Sequence, residues 1–383
     1  MSGQIPSGDV LIAVTHLLGV GHLVRARHLA AALAQAGYAV TLASGGMPDG
    51  KAASGYRFVQ LPPVRVEGTD FRNLLDEAGH PAAPERLSAR AAGLVALARE
   101  LRPDVVVTEH FPFGRRQLAG EFLALIEAVR EARPQALVLS SIRDVLVAPQ
   151  RADRLAEAER RIVALFDGVL VHGDRGFLPL EASWPVTPVI AERLHYTGYL
   201  ATPAASTSEQ EESGEILVSG GGSAAALPLF RLAVATAGLL PRRDFRVLVG
   251  KAVPEPEFAG LMRHAPGNVV VERARPDFPA LLGRCALSLS LAGYNTVLDL
   301  VQARRPALVA PFDAGNETEQ AIRAAALERA GLARVIRPEA GPEALAAAIA
   351  GALEAGPPAP LPVALDGAAG TVAAIARLCA RRP

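Results

Sequence analysis

The stretch from Leu287 to Gln320, LSLSLAGYNTVLDLVQARRPALVAPFDAGNETEQ, narrows the folds open to this chain more than any other. Leu287 to Leu291 is an apolar run of strand length, and Ala292 and Gly293 break it. Tyr294, Asn295 and Thr296 then open a helical pattern carrying Val297, Leu298, Leu300 and Val301. A strand that turns on glycine into a helix leaves the first N–H groups of that helix without intrahelical acceptors. With the positive end of the helix dipole, those groups form a seat for a phosphate. A second strand, Ala307 to Ala310, ends at Pro311 and Phe312, and the loop after it, Asp313 to Glu319, is polar and acidic. A loop at a strand's carboxyl end is where a ligand crevice forms in an open α/β sheet. Two successive strand-to-helix crossings are therefore expected, the first shaped for an anion and the second for hydroxyls.

The same unit recurs along the chain. Val10 to Thr15 is a β-type run, Gly19 and Gly21 make a turn, and from His22 the residues Leu23, Leu29, Ala30 and Leu33 recur at helical spacing until Gly37. Val40 to Ala43 is the next strand. This βαβ opening invites a dinucleotide-binding reading, but G-V-G-H-L-V-R lacks the third glycine, and Ala43-Ser44-Gly45 stands where an acidic ribose ligand should follow. Strands are also expected over Tyr56–Leu61, Val105–Val107, Ala136–Ser141 and Gly168–Val171, with helices over Glu85–Leu101, Gln117–Glu131 and Arg151–Phe166. Glu109 and His110 end one strand, and Arg143 and Asp144 lie just beyond another. Repeated strand-then-helix units indicate a parallel sheet covered on both faces.

The segment ATPAASTSEQEESG, residues 201–214, has no core-forming residues, and after it the pattern restarts. Ile216–Ser219 is a strand, Gly220, Gly221, Gly222 and Ser223 a turn, and Ala224–Ala237 a helix. Further strands are expected at Arg246–Val249 and Val269–Val271, and a helix at Leu345–Leu353. The fold class is thus α/β, with two doubly wound Rossmann-like domains over residues 1–200 and 201–365. Net charge is zero, which implies no long-range attraction to nucleic acid or an anionic bilayer. Two cysteines suggest no disulfide framework and fit a reducing cytosol. No uncharged apolar run reaches the ~18 residues of a membrane span, and the N-terminus lacks a signal-peptide pattern. A cytoplasmic protein is expected.

The order Gly293-Tyr-Asn-Thr, Asp299, Pro306, Pro311-Phe312 and Glu319-Gln320 resembles the donor half of GT-B glycosyltransferases, in the branch related to the peptidoglycan-precursor N-acetylglucosaminyltransferase. Segments such as EHFPFGRR, SIRDVL, LVHGDRGF and HYTGYL, from Glu109 to Leu200, extend the likeness to a branch of predicted transferases. The resemblance implies two domains facing a central cleft, with a C-terminal helix (366–383) crossing back to the first. It implies a nucleotide-diphosphate sugar as donor, a UDP-sugar first, and no cofactor. It also implies inverting transfer to an acceptor held by the first domain. Peripheral contact with a membrane is expected if that acceptor is lipid-linked.

On this likeness Gly293, Tyr294, Asn295 and Thr296 bind the donor diphosphate, the alternative being an ordinary turn with Asn295 or Thr296 as N-cap. Asp299 stands where relatives carry a glutamate that reaches the ribose. Glu319 and Gln320 hold sugar hydroxyls, the alternative being a solvated first turn. Gly220, Gly221, Gly222 and Ser223 contact the donor or merely cap a turn. Gly21 and Arg25 belong to the G-x-G-H-x-x-R segment in which His22 serves as base, because imidazole titrates near neutrality. The alternative is a capping histidine. Arg27 reads as a surface charge, and His16, Glu109, His110, Arg143 and Asp144 as acceptor contacts. Phe111, Phe113, Arg115 and Arg116 suggest a lipid-phosphate patch or an ordinary loop, and Glu272–Arg275 a place near the nucleobase. No D-x-D pair and no His/Cys cluster at zinc spacing is present, so no metal is expected. A sugar-nucleotide hydrolase, a 2-epimerase and a turnover-silent binding protein remain as alternative functions.

Overall fold

The computed structural model describes residues 8–17, 20–68, 73–201, 213–222, 224–312 and 318–381. The chain groups into two units, Met1–Arg175 with Pro179–Leu200 and Ala364–Pro383, and Gly176–Leu178 with Ala201–Val363.

The first unit carries strands β1 (Asp9–Val14), β2 (Ala39–Ser44), β3 (Arg57–Gln60), β4 (Val105–Glu109), β5 (Leu137–Arg143), β6 (Gly168–His172) and β7 (Leu194–Tyr196). They pair in parallel in the order β3-β2-β1-β4-β5-β6-β7. Helices α1 (Gly21–Gln35), α2 (Pro84–Leu101), α3 (Ala119–Ala132), α4 (Ala152–Leu165) and the one-turn α5 (Pro188–Ala191) connect or cover them. Strand residues alternate between two cores, which is why each strand reads as an apolar run rather than an alternating one. Leu11, Ala13 and Val106 pack with Leu94 and Leu97 of α2 and Phe122, Leu125 and Val129 of α3. Val10, Ile12, Val105 and Val107 pack on the other face with Leu23, Leu29 and Leu33 of α1, and with Ala374 and Ile375 near the C-terminus. Between α2 and α3 the buried Arg90 is bound by both carboxylate oxygens of Glu121 at 2.8 Å and donates to the carbonyls of Gly45 and Pro62.

The second unit repeats the plan. Strands β8 (Ile216–Ser219), β9 (Phe245–Val249), β10 (Val269–Arg273), β11 (Leu287–Ser290), β12 (Ala307–Val309) and β13 (Arg334–Val335) lie parallel in the order β10-β9-β8-β11-β12-β13. Its helices are α6 (Leu227–Ala237), α7 (Glu255–His264), α8 (Phe278–Arg284), α9 (Tyr294–Ala303), α10 (Glu319–Arg329) and α11 (Gly341–Ala355). Leu229, Phe230 and Ala233 of α6 and Leu345 and Ile349 of α11 cover one face of β8, β9 and β11. The final helix, α12 (Gly367–Ala380), belongs to the first unit and packs against α1.

Each sheet reverses its winding once, between β1 and β4 in the first and between β8 and β11 in the second. Loops leaving the carboxyl ends of two such strands diverge and open a crevice, the place where doubly wound sheets bind ligands. The Gly293 turn of the organising stretch lies at the second of these points and the start of α1 at the first, while Gly19 lies outside the described residues.

Candidate active site

In the first unit, α1 starts directly after the β1 loop. Val20 is its N-cap residue and offers no side-chain cap, and Gly21 borders open space. His22 follows in the first turn, 16% exposed, and its ring bonds the Glu109 carboxylate across the sheet. Across the winding reversal, Glu109 is the last residue of β4 and 2% exposed. His22 Nδ1 stands 2.9 Å from Glu109 Oε1, and Arg25, one turn along α1, donates to the same oxygen. The second carboxylate oxygen accepts from Ser141 Oγ at 2.5 Å.

These contacts decide the protonation of His22. Burial works to raise the carboxyl of Glu109, but the Arg25 charge, the His22 bond and the Ser141 hydroxyl together hold it well below its ordinary range. An ionised carboxylate has no proton to give, so the proton in the 2.9 Å contact sits on Nδ1 of His22. Arg25 also lies 2.9 Å from that nitrogen, but with Nδ1 protonated its donation goes to Glu109. Nε2 therefore carries the lone pair, and it makes no hydrogen bond among the described residues. Burial, with the charges of Arg25 and Arg115 against the Glu109 bond, lowers His22 to about 3, so the ring is neutral at physiological pH.

His110 packs beside His22, the ring centroids 5.2 Å apart. Its backbone is left-handed, φ 68°, a costly conformation for a non-glycine residue and one that concentrates at functional sites. Gly114 makes room for its ring, since an added Cβ would lie 2.2 Å from His110 Cδ2.

Several expectations for this region need correction. Glu109 is buried, and its two oxygens are bound by Arg25, His22 and Ser141. Asp144 is buried, its carboxylate accepting from the Val145 N–H at 2.8 Å, while Arg143 is the last residue of β5. His16 is buried as well. Arg27 is no surface charge, because Asp49, Tyr56 and the Lys51 carbonyl bind its guanidinium. Phe111 and Phe113 are core residues, stacked on Phe122 and set edge-on to Trp184, and offer nothing to a lipid. Arg115 donates to the Thr15 carbonyl at 2.6 Å, and burial together with the neighbouring Arg143 and Arg25 lowers it to about 10.

In the second unit, Gly293 is the N-cap of α9, with no side-chain cap, so neither Asn295 nor Thr296 plays that part. Asn295 is exposed in the first turn, where its own N–H and that of Thr296 have no intrahelical acceptor. Asp299, one turn on, makes no hydrogen bond or ion pair among the described residues, and burial raises its carboxyl to about 6. Gly220 is required by packing, since a Cβ there would lie 2.0 Å from Ala226 Cβ. Gly221, at φ 62°, and Gly222 border open space, and Ser223 lies outside the described residues. Glu319 is buried rather than solvated and pairs with Arg323 at 3.4 Å, while Arg323 lies over the Tyr294 ring. The Gln320 amide oxygen accepts from Ala292 and Phe312, tying the ends of β11 and β12 together. Glu272 and Arg275 are absorbed by Arg246 and Asp277 at the end of the outermost strand, β10, two strands from the winding reversal. Among the described residues no group of three or more His, Cys, Asp or Glu side chains could hold a metal ion.

Residues 215–359 match the glycosyltransferase family 28 C-terminal domain. The chain is 18% identical to MurG of Acinetobacter baumannii, covering 96% of this chain and 99% of that one with a TM-score of 0.61. The kitacinnamycin glycotransferase superposes with a TM-score of 0.62 at 18% identity, over 98% and 100% of the two chains. The chain has the GT-B fold and is related to these transferases. Two curated proteins named UDP-N-acetylglucosamine–N-acetylmuramyl-(pentapeptide) pyrophosphoryl-undecaprenol N-acetylglucosamine transferase are also similar. That of Brucella anthropi is 32% identical over 185 residues, 45% of this chain and 48% of the relative. That of Rhodospirillum centenum is 38% identical over 94 residues, 24% of each. The chain thus spans half or less of the length of the curated relatives it matches. Within this GT-B chain the family match covers the unit that carries the Gly293 turn, and the His22–Glu109 pair lies in the other.

Proposed function

We propose that the protein transfers a sugar from a nucleotide-diphosphate sugar, a UDP-sugar first, to a hydroxyl acceptor, with inversion and without a metal ion. The observation that carries this reading is the His22–Glu109 pair: a neutral imidazole whose Nδ1–H is held by an ionised carboxylate, leaving Nε2 to take a proton. The acceptor oxygen forms a bond to the anomeric carbon, and its proton passes to Nε2. The bond from that carbon to the diphosphate oxygen breaks, and the nucleoside diphosphate leaves with the electron pair. Glu109 steadies the imidazolium that forms. The α9 N-terminus receives the diphosphate charge, a role that needs no cation. Asp299, partly buried and without a partner among the described residues, takes a ribose hydroxyl, and the Gln320 NH₂ group a sugar hydroxyl.

The curated relatives' names specify a pyrophosphoryl-undecaprenol acceptor. A lipid-linked acceptor of that kind would bring a cytoplasmic protein to a membrane surface. Among the described residues no helix is long and apolar enough to cross a membrane. The test is incubation with UDP-N-acetylglucosamine and a panel of hydroxyl acceptors in excess chelator. UDP, free sugar, epimerised sugar and glycoside are quantified, and the product anomer is read by NMR. Transfer with inverted configuration is expected. Free sugar alone would identify a hydrolase, an epimerised sugar an epimerase, and no product with tight UDP binding a binding protein. Turnover that requires added magnesium would sink the helix-terminus account.

A further inference from the structure

The bonds that begin at His22 continue past Glu109. Ser141 sits directly opposite Glu109 in the β4–β5 register, and its Oγ lies 3.0 Å from His172 Nε2 at the end of β6. His172 Nδ1 lies 2.9 Å from Thr197 Oγ1, one residue past β7. Four neighbouring strand ends thus each contribute one buried group to a single row.

Only one arrangement of protons satisfies the row. The 2.5 Å contact between Ser141 and the ionised Glu109 requires the serine's single proton to point at the carboxylate. Ser141 Oγ can then only accept from His172, so Nε2 of His172 carries the proton and Nδ1 the lone pair. Thr197 must in turn donate to Nδ1, its carbonyl alternatives at Val171 and Gly198 being longer, 3.3 Å each. Thr197 is itself held from behind: a Cβ on Gly370 of α12 would lie 1.9 Å from the Thr197 carbonyl oxygen, so only glycine allows that approach.

We propose that Ser141, His172 and Thr197 are positioning residues that fix the proton of His22 on Nδ1 and so hold Nε2 as the proton acceptor, with the row anchored beneath α12. Without the Thr197 hydroxyl, His172 can move its proton to Nδ1. Ser141 then turns toward His172, and Glu109 loses one of the bonds that keep it ionised and aligned on His22. This inference rests on the reading of His22 as the base.

The experiment is ¹⁵N NMR of protein labelled at its eight histidines, with His22 and His172 assigned by His→Gln replacement. In the wild type, His22 should appear as the Nδ1–H tautomer and His172 as the Nε2–H tautomer. Thr197→Val should move His172 toward Nδ1–H and leave His22 a mixture, while Thr197→Ser should preserve both. In UDP release from UDP-N-acetylglucosamine with water as acceptor, Ser141→Ala should lower kcat about ten- to a hundred-fold, the range for a charge-assisted hydrogen bond, with KM unchanged. Thr197→Ser should retain the wild-type rate. Wild-type His172 in the Nδ1–H form, or a His22 spectrum indifferent to Thr197→Val, would overturn the proposal. A wild type that releases no UDP with water or with any hydroxyl acceptor would count against the proposed function, and the wild-type tautomers would then decide this inference by themselves.

Discussion

A histidine base at its ordinary pKa of ~6.5 would be only about 3% neutral at pH 5, and its rate would fall about thirty-fold below the plateau. His22 is held near 3 by burial and by the Arg25 and Arg115 charges. It should remain about 99% neutral at pH 5 and lose almost nothing. The assay is kcat/KM for UDP release between pH 4.5 and 8.5, which reports the free enzyme. It is run in an Asp299→Asn background, because Asp299, raised to about 6 by burial, would otherwise titrate in the same window. The profile should be flat on its acid side down to about pH 4.5. Arg25→Gln, which keeps hydrogen-bond donors but removes a charge that lowers His22, should move the acid limb up toward neutrality. His22→Ala should lower turnover about 10²–10⁴-fold, the usual share of general-base catalysis, with donor affinity changed by less than about ten-fold. A thirty-fold loss at pH 5 in the reference protein would refute the burial argument. A His22→Ala protein within a few-fold of wild type would remove His22 from the mechanism.

Stability should also depend on pH. His22 and His172 are both lowered to about 3, so below ~6.5 the unfolded chain binds protons that the folded one refuses. Tm should fall between pH 7 and pH 5, His172→Gln should flatten that slope, and a Tm unchanged over the window would contradict the assignment. Asp299 has the opposite sign: its raised carboxyl binds a proton in the folded state between about 3.8 and 6, so that contribution is lost as pH rises. Asp299→Asn should therefore be more stable than wild type at pH 7 and similar at pH 4, by thermal melts at the two pH values. Arg90→Ala, which strands Glu121 in the core, should cost about 3–5 kcal/mol in urea unfolding. Asn295→Ala should weaken UDP binding by about 1–1.5 kcal/mol in calorimetry with chelator present, leaving Tm unchanged.

Much of this architecture is legible in the chain because glycine-broken strand-to-helix turns are local. Ser290 to Thr296 states its own geometry, and Gly21-His22 marks the start of α1. What escapes the sequence has little local signal. Helix α7 buries only Leu261, so its apolar period is almost absent, and β13 spans two residues. Polar residues are harder still, because a side chain's type does not say what it faces. Arg27 lies at a helical position that reads as solvent, yet Asp49 and Tyr56 arrive from the loop and strand edge beyond β2 and enclose it. Gln320 reads as a sugar ligand, and nothing local shows its second duty: its carbonyl accepts from the N–H groups of Ala292 and Phe312 at the ends of two parallel strands.

Glu109 shows where the limit lies. It is 87 residues from His22, and nothing in either segment names the other. Their meeting follows from strand order: β1 has β2 on one side, through the α1 crossover, and β4 on the other, so the last residue of β4 ends beside the first turn of α1. Any acid at the end of β4 would lie near that turn. Glutamate there has three donors to satisfy, His22, Arg25 and Ser141, and all three approach its two oxygens. Removing it would leave Arg25 buried without its carboxylate, and His22 with no group to fix its proton. The pair is thus a product of topology and chemistry together, and the winding reversal of a parallel sheet is what makes a strand-end acid and a helix-start histidine a unit.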